Sequence, residues 1–336
     1  MIDNKVTGVK KMIKYNFIAS CYGLNIQTTL NRGTKIYEDI RLSNNSKQVQ
    51  TLFASPFKNV IGSLEYEQLH KAPYFYANGA LENDIVFEDD NVGLEKLSDF
   101  IKRVQVFTNV LWLVKDHSIN TEMCFIEYQR DKQNDKEVKW SSNSRTSIYL
   151  NSHCKRVDTI FSINEIKKGL DYFSTLSEDV DSFKDENNQT TYKAKRVERM
   201  FYFLQAARNQ SYIPNRISVF VTLLETLLST TNIEVTHKLK ERMAWLLGDS
   251  FEQRKEIFKT MGDIYSVRSA NVHGNKMPKK GDSTEKLEVL SQKIEEYTRQ
   301  LIIKILTEKE IKAIYDENND NKIDSWLEEV CLGKES

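Results

Sequence analysis

The chain of 336 residues lacks the cysteine patterns of zinc-binding and redox proteins. Its four cysteines, Cys21, Cys124, Cys154 and Cys331, include no Cys-x-x-Cys pair. Neither a zinc ribbon nor a thioredoxin-like motif is therefore expected. Scattered thiols in a chain of this length are typical of a reducing cytosol.

Long apolar runs and cofactor motifs are also missing. No run of 18 apolar residues occurs, and the first residues, MIDNKVTGVKKMIKYNF, have no apolar signal core. We therefore expect a cytoplasmic protein with no membrane partner. The sequence contains no glycine-rich phosphate loop, His-Glu-x-x-His or Gly-x-Ser-x-Gly motif, so no cofactor and no metal site is expected.

The chain has no net charge, because 48 Lys and Arg residues balance 48 Asp and Glu residues. This balance excludes a protein that holds nucleic acid by bulk charge alone. The charge is uneven, however. Residues 191–280 carry 16 basic and 8 acidic residues, and residues 281–336 carry 8 and 14. The first of these regions could attract a polyanion while the whole molecule stays neutral.

The two halves of the chain have different patterns, which predict an α+β fold. Residues 1–160, within a predicted α+β domain of residues 1–180, contain short runs rich in Ile, Val, Tyr, Phe and Thr, separated by turn-forming residues. Helical spacing predicts helices at about 93–115 and 163–176. The predicted strands are Lys11–Ala19, Thr34–Leu42, Val60–Tyr66, Ile85–Glu88, Met123–Tyr128 and Ser147–Leu150.

After an acidic, polar segment at 177–190, which is typical of a linker, the chain is predicted to be helical. Candidate helices are 195–209, 215–230, 234–247, 252–272 and 283–306. Apolar stripes on the second and fifth of these predict an all-α bundle over residues 192–310. Residues 311–336 are predicted to form a short helical tail.

The segment MGDIYSVRSANVHGN, residues 261–275, is the most informative for function. Ile257, Met261 and Ile264 share one helix face, and Arg268 is the next position on it. A buried cation is costly without a partner. Glu225, on the second helix of the bundle, could pair with Arg268 in a bidentate contact. The alternative is that Glu225 is a rim residue on a solvated edge.

His273 comes just before Gly274, and glycine is common immediately after a helix. We expect His273 to end the helix and turn toward Arg268, with Asn271 lining the same pocket. An imidazole can move a proton, and a guanidinium can stabilise charge on phosphorus, so this set suits a phosphodiester. The alternative is a helix-terminal histidine that hydrogen-bonds a carbonyl and an arginine in a structural ion pair.

The stretch from Val197 to Asn275 resembles the HEPN superfamily, specifically its Apea-like branch. The matching segments are RMFYFLQAARNQSYIPNRISVFVTLLETLLS, HKLKERMAWLLG and IYSVRSANVHGN. They contain a Leu-Glu-x-Leu-like element at Leu224–Leu228, Arg242 before Ala244–Leu247, and a Tyr-x-x-Arg-Ser ending at Tyr265–Gly274. The resemblance does not extend to residues 1–190.

The resemblance implies a helical bundle that dimerises, with the Arg-x4-His motifs of two subunits meeting in one cleft. It also implies metal-independent RNA cleavage that leaves a 2′,3′-cyclic phosphate, with Arg268 and His273 as the motif residues. Ser269 then occupies a position that is often polar in the family, and Tyr265 belongs to the same motif. Glu225 and Asn271 would position the two motif residues.

Members of this family are often toxins or abortive-infection effectors that cut tRNA or other cellular RNA. We therefore expect an antiphage effector restrained by residues 1–180 and released by a phage-derived trigger or a partner defence protein, as a homodimer or a larger assembly. The alternative is a non-catalytic HEPN dimer that binds RNA or a partner in a defence complex.

Basic residues near the start of the bundle are further candidates for RNA contacts. They are Arg199, Arg208 and Arg216, with Tyr202 and Tyr212 interleaved to stack bases. Arg242 is assigned to the same role. The alternative is an amphipathic helix with a basic outer face.

Overall fold

The computed structural model describes residues 12–53, 56–82, 85–132, 135–144, 148–176, 194–230 and 233–333. Over these residues the chain is α+β, with an antiparallel sheet in the N-terminal half and helices in the C-terminal half. The segment predicted as a linker, 177–190, lies outside the described residues.

The N-terminal half alternates strands and helices. The strands are β1 (Ile13–Ser20), β2 (Leu24–Ile26), β3 (Thr34–Tyr37), β4 (Ile40–Ser43), β5 (Tyr74–Leu81), β6 (Met123–Lys132), β7 (Asp135–Ser144) and β8 (Thr159–Phe161). The helices are α1 (Ser46–Leu52), α2 (Phe57–Ile61), α3 (Ser63–Lys71), α4 (Ile85–Glu88), α5 (Asp90–Val114) and α6 (Ile163–Thr175).

Six strands form one sheet in the order β3-β4-β5-β1-β6-β7, and each neighbouring pair is antiparallel. Strand β1 is central and almost entirely buried, as its run IKYNFIAS predicts. On one face, a cluster that includes Ile18, Tyr74 and Phe125 from the sheet packs with Val49 and Leu69 from α1 and α3. Strands β2 and β8 form a separate parallel pair.

Several predicted strands are wrong. Residues Val60–Tyr66 belong to the helices α2 and α3, which Gly62 separates with a φ of 85°. Residues Ile85–Glu88 form α4, and Ile148–Leu150 are not in a strand. A short apolar run fits a strand or a buried helical turn equally well, so periodicity cannot separate the two. Strand β7 was missed because its sequence, DKEVKWSSNS, is mostly polar.

The C-terminal half consists of helices over its described residues. They are α7 (Arg196–Arg208), α8 (Ile213–Leu228), α9 (Val235–Leu247), α10 (Phe251–His273), α11 (Thr284–Thr307), α12 (Lys309–Glu317) and α13 (Asp320–Cys331). Each of the predicted helices in 195–306 is confirmed, with ends shifted by a few residues.

Helix α8 is the centre of this bundle and packs against α7, α9, α10 and α11. Its stripe Ile217, Phe220, Val221 and Leu224 is fully buried, as the helical spacing predicts. Burying an aliphatic side chain or a phenylalanine stabilises the fold by about 1.5–3 kcal/mol each. The buried stripe of α8 therefore stabilises its packing against the neighbouring helices.

The chain divides into two compact units. The first contains Met1–Thr108, Ile119–Thr146 and Asp158–Ile166, and the second contains Asn109–Ser118, Ser147–Val157 and Lys167–Ser336. This differs from the predicted boundaries, because three segments from before residue 180 join the helical unit, and 311–336 are part of it. One cause is Trp112 at the end of α5, whose ring stacks on Phe220 of α8 at 5.9 Å.

Within the described segments of the chain, none of the helices combines the length and the apolar character that a membrane span requires.

Candidate functional site

The motif residues lie at the C-terminal end of α10. This helix begins with a capping box, in which Ser250 accepts a hydrogen bond from the Gln253 backbone N–H. It ends at His273, and Gly274 follows with a φ of 67°, donating its backbone N–H to the Ala270 carbonyl. A left-handed residue just beyond the helix favours glycine. The prediction that His273 is the last helical residue is confirmed.

Arg268 lies at the edge of the buried face of α10. Ile257, Met261 and Ile264 are buried, as predicted, but Val267 takes the next core position. The Arg268 side chain keeps 24% of its surface exposed. Val267 and Arg268 are three and four positions after Ile264, so either could continue the same stripe. The apolar Val267 is the one that enters the core. The guanidinium of Arg268 therefore reaches toward α8 from the rim.

Glu225 of α8 is the ionic partner of Arg268. Arg268 Nη2 lies 3.7 Å from Glu225 Oε2, so the two side chains that helical wheels placed together do meet. The contact is longer than a hydrogen bond and involves one oxygen, whereas the sequence suggested a bidentate pair. The Tyr265 ring lies one turn earlier on α10, with its centroid 5.4 Å from Arg268 Cζ, which adds a weak cation–π contact.

Arg268 faces a cleft of about 510 Å³, called here the Arg268 cleft. Its lining residues come from α7, α8 and the residue that follows it, the start of α9, α10 and the start of α13. They are Arg196, Arg199, Thr222, Glu225, Thr226, Ser229, Val235, Tyr265, Arg268 and Asp320. Arg196 is already engaged, because its Nη2 lies 2.7 Å from Asp320 Oδ1 and its Nη1 donates to backbone carbonyls.

Two cations of the cleft retain unused donors. The Nε atoms of Arg268 and Arg199 are both buried, and neither has a hydrogen-bond partner among the described residues. A buried N–H without a partner costs roughly 1–3 kcal/mol, so an oxygen-bearing anion here would remove a penalty. The walls of the Arg268 cleft thus carry the guanidinium groups of Arg199 and Arg268, with the carboxylate of Glu225 alongside.

His273 is not in the Arg268 cleft. The side chain is exposed and makes no hydrogen bond or ion pair within the part of the chain that the structure describes. Five residues along a helix amount to about 140° of rotation and about 7.5 Å of rise, so the imidazole points away from the guanidinium. The expectation that His273 turns toward Arg268 is therefore wrong for a single chain. The alternative in which His273 bonds a carbonyl does not hold either.

Asn271 and Ser269 also lie outside the Arg268 cleft. Asn271 Nδ2 donates to Asn215 Oδ1 at 2.9 Å and to Ser218 Oγ at 3.1 Å. These contacts tie the end of α10 to the start of α8, so Asn271 joins two helices and does not line the expected pocket. Ser269 is half-buried, next to Arg268 in sequence.

Arg208 and Arg216 are fully buried, which overturns their assignment to RNA contacts. Arg208 donates to Asn109 Oδ1 at 2.7 Å and to the His117 carbonyl at 2.9 Å. Burial lowers the pKa of Arg208 to about 10. Arg216 Nε bonds Glu295 Oε1 at 2.6 Å, and its Nη1 donates to the Arg208 carbonyl at 2.9 Å. Arg216 thus caps the C-terminal end of α7.

Burial and the Glu295 carboxylate act in opposite directions on the pKa of the Arg216 guanidinium. Burial lowers the pKa of Arg216, but the adjacent Glu295 carboxylate more than offsets it, and the net shift is upward. Glu295 also accepts a hydrogen bond from Trp112 Nε1 at 3.2 Å. Arg216, Glu295 and Trp112 thus form a hydrogen-bonded structural network in the core of the bundle.

Arg242 is also buried, and it is not available to RNA. Its Nη2 lies 2.7 Å from Asp324 Oδ1, and its Nη1 donates to the Leu228 carbonyl at the end of α8. The hydrogen bond from the Thr230 hydroxyl and the Arg242 guanidinium lower the pKa of Asp324, although partial burial alone would raise it. Arg199, also assigned to RNA contacts, lines the Arg268 cleft.

Asp320 and Asp324, the acidic partners of Arg196 and Arg242, were missed by sequence reasoning. Only the tertiary fold brings α13 beside α7 and α9, and no spacing rule links positions more than 80 residues apart. A signal for the buried arginines was present, because Arg208 is four residues after Leu204 on the apolar stripe of α7.

Among the described residues, no three His, Cys, Asp or Glu side chains are grouped so as to hold a metal ion. Comparisons of the chain with protein-family models, with curated proteins and with solved structures find no match.

Proposed function

We propose that the chain is a metal-independent endoribonuclease of the HEPN type that cleaves cellular RNA such as tRNA. The observation that carries the proposal is the placement of Arg268 and His273. Arg268 lies in a cleft, and its Nε has no partner among the described residues. His273 is exposed at the end of the same helix. Arg268 would supply a phosphate-binding donor, and His273 would supply an imidazole that can transfer a proton.

In the proposed reaction the 2′-oxygen of the RNA attacks the adjacent phosphorus and the bond to the 5′-oxygen breaks. His273 accepts the proton of the attacking 2′-hydroxyl while water protonates the leaving 5′-oxygen, or His273 protonates the leaving 5′-oxygen while water accepts the proton of the 2′-hydroxyl. Arg268 stabilises the negative charge that builds on the phosphoryl oxygens. The products are a 2′,3′-cyclic phosphate and a 5′-hydroxyl.

The proposed active site requires two chains. Within one chain the Arg268 guanidinium and the His273 imidazole lie on different sides of α10, so they do not converge on one phosphate. A symmetric dimer with α10 at its two-fold axis would bring the His273 of one subunit to the Arg268 of the other. Exposed Val272, between the two motif residues, offers apolar surface for such a contact.

The biological role that we propose is a cytoplasmic antiphage or toxin effector. The N-terminal unit would restrain the nuclease until a phage-derived trigger or a partner defence protein releases it. The restraining role is proposed because a nuclease that is toxic to its own cell must be kept inactive until it is needed.

A second candidate function is a non-catalytic dimer that binds RNA or a partner protein. The separation of Arg268 from His273 within one chain favours it, because the cleft could bind a phosphate without cutting it. The two functions differ in their dependence on the imidazole.

Cleavage of total cellular RNA in EDTA tests the proposal. The native chain should yield discrete fragments with cyclic-phosphate ends, and His273→Ala should reduce the rate by about 10²–10⁴-fold. His237→Ala is the matched control, since His237 is also exposed on the bundle. Equal cleavage by the native chain and His273→Ala would refute the assignment. Tight RNA binding without cleavage would favour the second candidate.

A further inference from the structure

A second cleft lies within the N-terminal unit. It has a volume of about 530 Å³ and is bordered by β4, β5, α1 and the loop between β2 and β3. Its charged lining residues are Arg32, Arg41 and Lys47, and no carboxylate lines it. We call it the Arg41 cleft. Its volume falls within the range of about 300–1,000 Å³ that is typical of small-molecule binding sites in proteins.

The loop that forms one wall is held by side-chain hydrogen bonds. Asn44 Oδ1 accepts from the Leu30 backbone N–H at 2.7 Å, and Asn44 Nδ2 donates to the Thr28 carbonyl at 3.1 Å. The Tyr76 hydroxyl donates to the Arg32 carbonyl at 2.8 Å. The backbone that carries Arg32 is therefore fixed before any ligand arrives, which reduces the entropy lost on binding.

Gly33 allows this loop to approach the sheet. Its φ of 65° is in the left-handed region, and a Cβ there would lie 3.0 Å from both the Leu42 carbonyl oxygen and the Tyr76 ring. Only glycine combines this conformation with such close packing. The close approach places the Gly33 carbonyl 3.3 Å from Arg41 Nη1.

Two backbone carbonyls orient the Arg41 side chain and leave some of its N–H donors without an acceptor among the described residues. Its Nη1 donates to the carbonyls of Arg32 and Gly33, while its Nε and Nη2 have no acceptor among the described residues. An arginine held through one nitrogen presents the others in a fixed plane, which is the geometry that binds phosphate in a bidentate way.

The positive charge of the Arg41 cleft is not neutralised. The side chains of Arg32 and Lys47 are exposed and form no ion pair over the described ranges of the chain. The remaining lining includes the amides of Asn31, Asn45 and Asn78, which add neutral donors. Three cations without a carboxylate attract an anion of two or more charges.

We propose that the Arg41 cleft binds the phosphate group of a small phosphate ester, such as a nucleotide. The fixed guanidinium of Arg41 would hold two phosphate oxygens, and Arg32 and Lys47 would supply the remaining charge. This binding function does not depend on the nuclease proposed above, and it is measured without it.

Titration calorimetry on the full chain tests the proposal, with inorganic phosphate, adenosine monophosphate and adenosine as probes. Adenosine monophosphate or phosphate should bind, and adenosine should bind at least about tenfold more weakly. Arg32→Ala and Lys47→Ala should each weaken binding about tenfold. Neither side chain makes a contact that the fold needs, and circular dichroism confirms that each variant is folded.

Lys35→Ala is the matched control, because Lys35 is exposed nearby on β3 but does not line the Arg41 cleft. It should leave binding unchanged. The proposal is overturned if neither phosphate nor adenosine monophosphate binds, or if binding survives both cleft variants. An oligonucleotide without terminal phosphates that binds as tightly as the monophosphate would also overturn it, in favour of a nucleic-acid strand.

Discussion

Arg268 and Glu225 lie 3.7 Å apart, Nη2 to Oε2, across the contact between α10 and α8. The distance is short enough for electrostatic attraction and too long for a hydrogen bond. Glu225 therefore orients the Arg268 guanidinium without accepting a hydrogen bond from it. Its buried Nε has no partner in the described chain. In the proposed nuclease, Arg268 would bind a phosphate oxygen with the donor capacity that Glu225 does not use.

The first prediction concerns Arg268. Arg268→Ala should lower the rate of RNA cleavage by about 10²–10³-fold, because it removes charge stabilisation at phosphorus. Arg268→Lys should recover only a small part of this loss, since an ammonium lacks the planar fork. Single-turnover cleavage of a defined RNA measures both. Full activity of Arg268→Lys would show that charge alone is sufficient and that the geometry of the cleft is unimportant.

The second prediction separates positioning from binding at Glu225. Glu225→Gln keeps the shape but removes the ion pair, so Arg268 should be less well oriented and kcat should fall by about tenfold. KM should also fall, because a carboxylate no longer repels the RNA phosphates. Steady-state kinetics measure the two changes.

Glu252→Gln is the control for this experiment, because Glu252 is an exposed carboxylate in the first turn of α10. Its kinetics should match those of the native chain. A change in KM alone for Glu225→Gln would mean that Glu225 does not position Arg268.

The third prediction concerns the stability of the bundle. Arg216→Met leaves the Glu295 carboxylate buried without its cation, and should lower the free energy of unfolding by about 3–5 kcal/mol. The double variant Arg216→Met with Glu295→Leu should recover most of this loss, since no charge is then stranded. Urea denaturation followed by circular dichroism measures the three proteins.

Lys286→Met provides the comparison, because Lys286 pairs with Asp282 on the surface. Its effect should stay below about 1 kcal/mol. A similarly small effect of Arg216→Met would contradict a structural role for the buried pair.

The helices of the bundle could be predicted because their apolar stripes are long and regular. The stripe from Ile217 to Leu224 and the helix-ending signal at Gly274 are local properties of the sequence, and the structure confirms them. The run Val60–Tyr66 was misassigned because seven residues contain too little periodicity to distinguish a strand from two helical turns.

Side-chain placement could be predicted only in part. The Arg268–Glu225 contact followed from two helical wheels, since both residues lie beside known apolar stripes. The partners of Arg208, Arg216 and Arg242 could not be predicted, because Asn109, Glu295 and Asp324 are 99, 79 and 82 residues away in sequence, respectively. Long-range pairs of this kind depend on the tertiary fold.

The central claim is that Arg268 of one chain acts with His273 of another. It is tested most directly with a purified heterodimer of Arg268→Ala and His273→Ala subunits, each carrying a different affinity tag. In such a dimer one composite site has lost both residues and the other is intact. The account predicts that each single variant is inactive alone, and that the heterodimer regains roughly half of the native cleavage rate. A heterodimer as inactive as the two parent variants would contradict it.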